Sequence, residues 1–258
     1  MTTTMEQFNL VGRVAVVTGG NGGIGLGIAR GLAKAGASIA VVGRNASKNA
    51  NAVDELRHLA ATAIAVEADL SQEGGCRMAI ETAAAQLGRL DILVNNAGIA
   101  LRKPPEAYTA ADWHRVLDTN LTSAFLCSHA AYPHMKAVGG GKIISIGSIL
   151  SLMGAPFAVA YAASKGGIVQ MTRALATAWA ADNIQVNAIL PGWIDTDLTV
   201  NARREVPGLN ERVLARTPVG RWGLPEDFEA IAVLLAGRGS DFITGTAIPV
   251  DGGYTIQA

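Results

Sequence analysis

Seven short apolar runs recur along the chain, and the stretches between them have the spacing of helices rather than of further strands. The runs are Val14 to Val17, Ile39 to Val42, Ala63 to Val66, Ile92 to Val94, Ile143 to Ile146, Val186 to Leu190 and Ala247 to Val250. None shows a strict apolar–polar alternation, so each reads as a strand buried on both faces. Between them, Ile24, Ile28, Leu32 and Ala35, and later Val169, Thr172, Leu175 and Ala176, fall on single helical faces. Strand–helix–strand repetition requires right-handed crossovers. The expected fold class is therefore α/β: one doubly wound parallel sheet of about seven strands, helices on both faces, and a single domain over residues 1–258. The stretch from Asp195 to Pro225 breaks the pattern with Pro207, Gly208, Pro218, Gly220 and Gly223. It is read as an irregular, mobile substrate flap at 195–225.

Charge and composition remove several functional classes. The 258 residues carry 21 Lys and Arg against 21 Asp and Glu, so no basic face for nucleic acid and no cationic tail for an anionic membrane are expected. The longest uncharged stretch, Ile143 to Ser164, is cut by Ser145, Gly147, Ser148, Ser151, Gly154 and Pro156. It reads as a strand, a loop and a helix start rather than a membrane span. Met1 to Gly12 has neither a basic head nor an apolar core of secretory length, which points to the cytoplasm. Cys76 and Cys127 sit in predicted helices without metal-ligand spacing, and His58, His114, His129 and His134 form no triad, so no metal is expected.

The first strand runs straight into Thr18-Gly19-Gly20-Asn21-Gly22-Gly23-Ile24-Gly25 and then into a helical pattern. Glycines there let the backbone approach a diphosphate closely, while the helix N-terminus offers free amides and partial positive charge. Gly19, Asn21, Gly23, Ile24 and Gly25 are thus candidate cofactor residues. The second strand ends at Gly43-Arg44, where a small residue followed by a cation suits the 2′-phosphate of NADP, with NAD the lesser option. A surface Arg opening the next helix is the alternative reading. No basic residue lies inside the Gly loop, so Arg44 is taken as the only nearby discriminator. Asp69 and Leu70 follow the third strand, where the carboxylate suits an adenine amino group or simply a helix N-terminus. Asn95-Asn96-Ala97-Gly98 closes the fourth strand at the carboxyl edge, where open parallel sheets bind ligands.

These motifs, with Ser148, Tyr161-Ala162-Ala163-Ser164-Lys165 and Pro191-Gly192, occur in the order and spacing of the short-chain dehydrogenase/reductase family over roughly residues 8 to 254. The chain resembles that family and its Rossmann-type fold, and most of all the branch of gluconate 5-dehydrogenases and 2-deoxygluconate 3-dehydrogenases. The 3-oxoacyl carrier-protein reductases share every motif named. The resemblance implies hydride transfer between a nicotinamide and a small carbonyl or alcohol substrate, a homotetramer, and a tetrad of Asn120, Ser148, Tyr161 and Lys165. Asn120 would hold a water beside Lys165. Asn96, Ala97, Gly98, Pro191, Gly192, Ile194 and Thr196 would face the cofactor along with Tyr161 and Lys165.

Four residues apart on a helix, Tyr161 and Lys165 share one face. A nearby ammonium together with an oxidised nicotinamide lowers a phenol's pKa and makes it a proton carrier. Ser148 precedes Tyr161 by thirteen residues, the spacing on which it is chosen over Ser145 and Ser151. Substrate contacts are expected from Ser148, Trp193 and Arg102, the last being better suited than Lys103 to a planar carboxylate. Leu150, Met153 and Phe157 complete a rather apolar pocket.

Overall fold

The computed structural model describes residues 4–59 and 62–257. Residues 1–3, the head of the segment read for a secretory signal, lie outside the described residues, as do 60, 61 and 258. In chain order the elements are β1 (Val14–Thr18), α1 (Gly23–Lys34), β2 (Ser38–Gly43), α2 (Ala46–His58), β3 (Ala63–Glu67), α3 (Glu73–Leu87) and β4 (Ile92–Asn95). Then follow α4 (Ala110–Leu117), α5 (Ser123–Ala137), β5 (Gly141–Ile146), α6 (Val159–Trp179), β6 (Ile184–Pro191), α7 (Asp197–Glu205), α8 (Leu209–Arg216), α9 (Glu229–Ala236) and β7 (Ala247–Val250). All seven expected strands are present. They form one parallel sheet in the order β3-β2-β1-β4-β5-β6-β7.

Period-two alternation explains how apolar runs without polar partners are satisfied. Ala15 and Val17 of β1, Ile39 and Val41 of β2, and Ile92 and Val94 of β4 face one layer, built from Ile28 and Leu32 of α1, Val53 and Leu56 of α2, and Leu235 of α9. Val16, Ala40, Val42 and Leu93 face the other, against Cys76 and Ile80 of α3, Cys127 and Met135 of α5, and Ala176 of α6. Both cysteines lie in helices, as the sequence suggested, and the structure shows them free and buried. Among the described residues no helix is long and apolar enough to cross a membrane, and Ile143 to Ser164 is indeed strand, loop and helix start.

Strand order reverses between β1 and β4, which leaves a crevice at their carboxyl ends. The segment 195–225 departs from its irregular reading, because it contains α7 and α8. Ala202, Val206, Leu209 and Val213 recur at helical spacing and join Trp222 in a small separate core. The signal was in the sequence, but Pro207-Gly208 in its middle obscured it. Gly208 takes φ +67°, turning the chain between the two helices.

Candidate active site

The crevice is built around Thr18, whose hydroxyl donates to the Val94 carbonyl at 3.1 Å and accepts the backbone N–H groups of Asn96 at 2.9 Å and Ala97 at 3.1 Å. Asn96 then donates its side-chain amide to the carbonyls of Thr18 at 3.0 Å and Gly19 at 3.1 Å. Asn96 is therefore a clamp on the Gly loop, while Asn95 points into the interior, 2.9 Å from Ser128 Oγ. Gly25 is required by space: a Cβ there would lie 2.3 Å from Gly19 O and 2.4 Å from Asn96 Nδ2. Asn49, unremarked in the sequence, is buried and ties the loop to β2. It accepts from Asn21 Nδ2 at 2.6 Å and donates to Gly43 O at 2.8 Å. Gly43 is small for the same reason, since a Cβ would stand 2.4 Å from Asn21 Nδ2.

Two cavities of about 350 Å³ each adjoin along this crevice, sharing Gly19, Asn21, Lys48, Ala97 and Gly98. Gly23, Ile24, Asn96, Tyr161, Lys165, Pro191, Gly192, Ile194 and Thr196 line the first, and Arg44, Asp69 and Leu70 line the second. Of the residues expected to face a cofactor, only Gly25 is off these walls, packed behind the loop. Nothing lies within 4 Å of a Cβ built on Gly22, so the loop's open side gives onto the crevice. An elongated groove with glycine backbone at a helix N-terminus midway and a cation at one end fits a dinucleotide. Arg44 is not the only cation at that end, because Lys48, in the first turn of α2, lines both cavities. Asp69 accepts from the Ser71 backbone at 3.0 Å and hydroxyl at 2.9 Å, and these bonds hold its carboxyl below the usual range.

Ser148, Tyr161 and Lys165 meet where the first cavity borders a third. Lys165 is 4% exposed, and its ammonium donates to the Ile146 carbonyl at 2.6 Å, 5.6 Å from the centre of the Tyr161 ring. Burial lowers its pKa to about 8. Tyr161 is held above its ordinary value by burial, against which a hydrogen bond with Ser148 and the positive charge of Arg102 act. In the free chain desolvation exceeds these two effects, whereas the expected lowering combines Lys165 with the charge of an oxidised nicotinamide and so concerns the loaded site. Ser148 caps a short 3-10 turn, its hydroxyl accepting from Leu150 N at 3.1 Å. Its rivals are occupied elsewhere. Ser151 donates to the Lys165 carbonyl at 2.7 Å, and Ser145 is fully buried beside Asn95.

Asn120 does not continue a plain helix. It lies in a π-helical turn, Asp118–Thr122, between α4 and α5. Such turns re-aim one side chain at the expense of regular backbone bonding. Here Asn120 accepts from Ile99 N at 2.8 Å and donates to Ile99 O at 2.9 Å and Ser164 Oγ at 3.1 Å. Its contact with Lys165 is indirect. A Cβ on Gly98 would sit 3.3 Å from Asn120 Oδ1 and 3.6 Å from Lys165 Nζ, so glycine separates the two.

The third cavity, about 90 Å³, is walled by Leu150, Phe157, Trp193 and Leu198, with Arg102, Ser148, Tyr161 and Thr199 as its polar groups. Met153, expected here, does not line it. Lys103 is drawn away to Asp112 at 2.6 Å, which leaves Arg102 as the cavity's cation. Trp193 packs edge-on against Trp222 with ring centres 5.7 Å apart. Leu198 and Thr199 come from α7, and backbone bonds Asp195 N to Gly223 O at 2.8 Å and Gly223 N to Trp193 O at 2.9 Å pin the two ends of the 195–225 segment together. Among the described residues no cluster of three or more His, Cys, Asp or Glu could hold a metal.

A family model described as enoyl-(acyl carrier protein) reductase matches residues 19–255. The chain is 41% identical over 251 residues to a 2-dehydro-3-deoxy-D-gluconate 5-dehydrogenase of Escherichia coli strain K12, covering 97% of this chain and 98% of that protein. It is 39% identical over 244 residues to a cis-4-hydroxycyclohexanecarboxylate dehydrogenase of Sinomonas cyclohexanicum, covering 94% and 96%. The crystal structure of a gluconate 5-dehydrogenase from Burkholderia cenocepacia J2315, in complex with NADP and tartrate, matches with a TM-score of 0.94 at 38% identity, over 99% of this chain and 100% of that one. On a parallel sheet with this crevice, likeness of that extent establishes that the chain belongs to the short-chain dehydrogenase/reductase family of oxidoreductases.

Proposed function

We propose that the chain is an NADP(H)-preferring dehydrogenase that interconverts a secondary alcohol and a ketone on a sugar acid or related small polyol acid. The observation that carries this reading is a single junction: Ser148 and Tyr161 lie on the shared wall of the dinucleotide groove and a small cavity whose cation is Arg102. When bound, the nicotinamide supplies or receives the hydride. Ser148 donates a hydrogen bond to the reacting oxygen and Tyr161 exchanges the proton with it. Lys165 provides positive charge beneath the ring, and Asn120 is a positioning residue that holds the Ile99 and Ser164 region beside it. Gly19, Asn21, Gly23 and Ile24 would hold the diphosphate, Arg44 the 2′-phosphate, Asp69 and Leu70 the adenine, and Pro191, Gly192, Ile194 and Thr196 the nicotinamide end.

Support for the substrate class comes from two relatives named for sugar acids and from Arg102, which suits a carboxylate. The apolar walls Leu150, Phe157 and Trp193 favour a second reading, a 3-oxoacyl carrier-protein reductase or other ketone reductase. The α7–α8 segment serves as a substrate flap on a single catalytic domain, and the working form is a cytoplasmic homotetramer.

A spectrophotometric panel of sugar acids, β-ketoacyl thioesters and simple ketones with each cofactor separates these readings. Tyr161→Phe is expected to lower turnover at least about 10²-fold while cofactor still binds, the scale of a lost acid/base group. Near wild-type turnover would remove Tyr161 from that role. Arg102→Ala is expected to raise KM for a sugar acid far more than for an uncharged ketone. Turnover of a thioester with none on any sugar acid would establish the second reading instead.

A further inference from the structure

Lys48 occupies the first turn of α2, where the Asn45 side chain accepts its backbone N–H at 2.9 Å. Its ammonium reaches the carboxylate of Asp197, the first residue of α7, at 3.2 Å. The pair links the adenosine end of the groove to the flap across 149 residues of chain. Its side chains are 59% and 93% exposed, so water screens the attraction and the bond is weak. Lys48 lines both halves of the groove, including the half that holds Arg44, whereas Asp197 lines only the half beneath the Gly loop. Asp197 therefore places a negative charge on the wall of a groove suited to phosphates. A phosphate dianion offers Lys48 more charge and three strong acceptors, so it outcompetes a screened carboxylate.

We propose that Lys48 is an exchangeable cation: it holds Asp197, and with it the start of α7, in the free chain, and passes to the 2′-phosphate when NADP binds. This rests on the NADP reading above. The exchange makes Asp197 a specificity-determining residue, since it competes with that phosphate for Lys48. NAD, lacking the phosphate, leaves the pair in place. Flap release is thereby coupled to which cofactor is bound.

The test is a double-mutant cycle on the full chain, reading Kd for NADP and NAD by calorimetry in wild type, Lys48→Ala, Asp197→Asn and the double variant. Lys48→Ala is expected to weaken NADP about tenfold, the effect of one charge-assisted contact, with NAD unchanged within about twofold. Asp197→Asn is expected to tighten NADP severalfold, and the double variant to lose that gain. Hydrogen exchange at 197–205 in the cofactor-free protein should quicken in both single variants. Equal weakening of both cofactors by Lys48→Ala would assign Lys48 to the shared diphosphate and overturn the proposal. A gain from Asp197→Asn that survives without Lys48, or unchanged exchange in α7, would also overturn it. Equal affinity of the wild type for both cofactors would instead refute the underlying NADP reading. Loss of preference in Arg44→Ala but not in Lys48→Ala would refute the exchange alone.

Discussion

Lys165 shows most directly how the site is maintained against stability. An ordinary lysine titrates near 10.5, yet burial brings this one to about 8, so below that pH the folded chain carries a buried charge at a cost. Between about 8 and 10.5 the unfolded chain binds more protons than the folded one, so this residue's contribution to stability rises with pH across that window. Lys165→Met removes the buried charge but leaves the Ile146 carbonyl unpaired. At about 1.4 kcal/mol per pKa unit, less about 1–3 kcal/mol for the unpaired buried carbonyl, a net stabilisation of up to about 2 kcal/mol is expected at pH 7. Denaturant melts of the variant should show this gain shrinking above pH 8, and a gain constant across pH 7 to 10 would contradict it. Tyr161 beside it is half-buried, and for it too desolvation makes the free chain oppose ionisation. In the proposed acid/base role, the positive ring of an oxidised cofactor would favour the phenolate against that burial.

At the scale of elements, neighbouring glycines in one helix have opposite tasks. Gly74 and Gly75 both open α3, and a Cβ on Gly74 would meet nothing within 4 Å, while one on Gly75 would stand 2.1 Å from the Asp69 carbonyl. Gly74→Ala should stabilise the chain by up to about 1 kcal/mol through backbone entropy alone. Gly75→Ala should cost about 1–3 kcal/mol and weaken cofactor binding, because the Asp69 turn must shift. Thermal melts and cofactor titrations of the two variants check this, and similar behaviour of both would refute it. Nothing in the local sequence Glu73-Gly74-Gly75 distinguishes them. The same limit applies to α7 and α8, whose helical spacing was present but whose burying partner, Trp222, comes from beyond Gly220. The strands, by contrast, were legible to within two residues, because burial on both faces leaves apolar runs in the five inner strands; the edge strands β3 and β7 are partly exposed, which corrects the expectation of double-sided burial for all seven.

For the whole molecule, assembly is the property a single chain displays least. Phe125 on α5 is 45% exposed and Phe242, before β7, fully so, which leaves large apolar groups for a partner to cover. Light scattering is expected to give about four times the 26.6 kDa chain mass, and Phe125→Asp to give a smaller species; a wild-type monomer would refute the tetramer. Sequence alone determined the α/β class, the Gly loop and the order of Ser148, Tyr161 and Lys165. These depend on local periodicity, on backbone freedom at glycine, and on spacing within or next to one helix. Tertiary structure alone decided what depends on distant segments meeting. It brought Lys48 to Asp197, turned Lys103 toward Asp112 and Arg102 into the cavity, and wedged Asn49 between Asn21 and Gly43. Desolvation is likewise a sum over all surrounding chain, so no local reading of Tyr161 and Lys165 could give the direction of the tyrosine's shift.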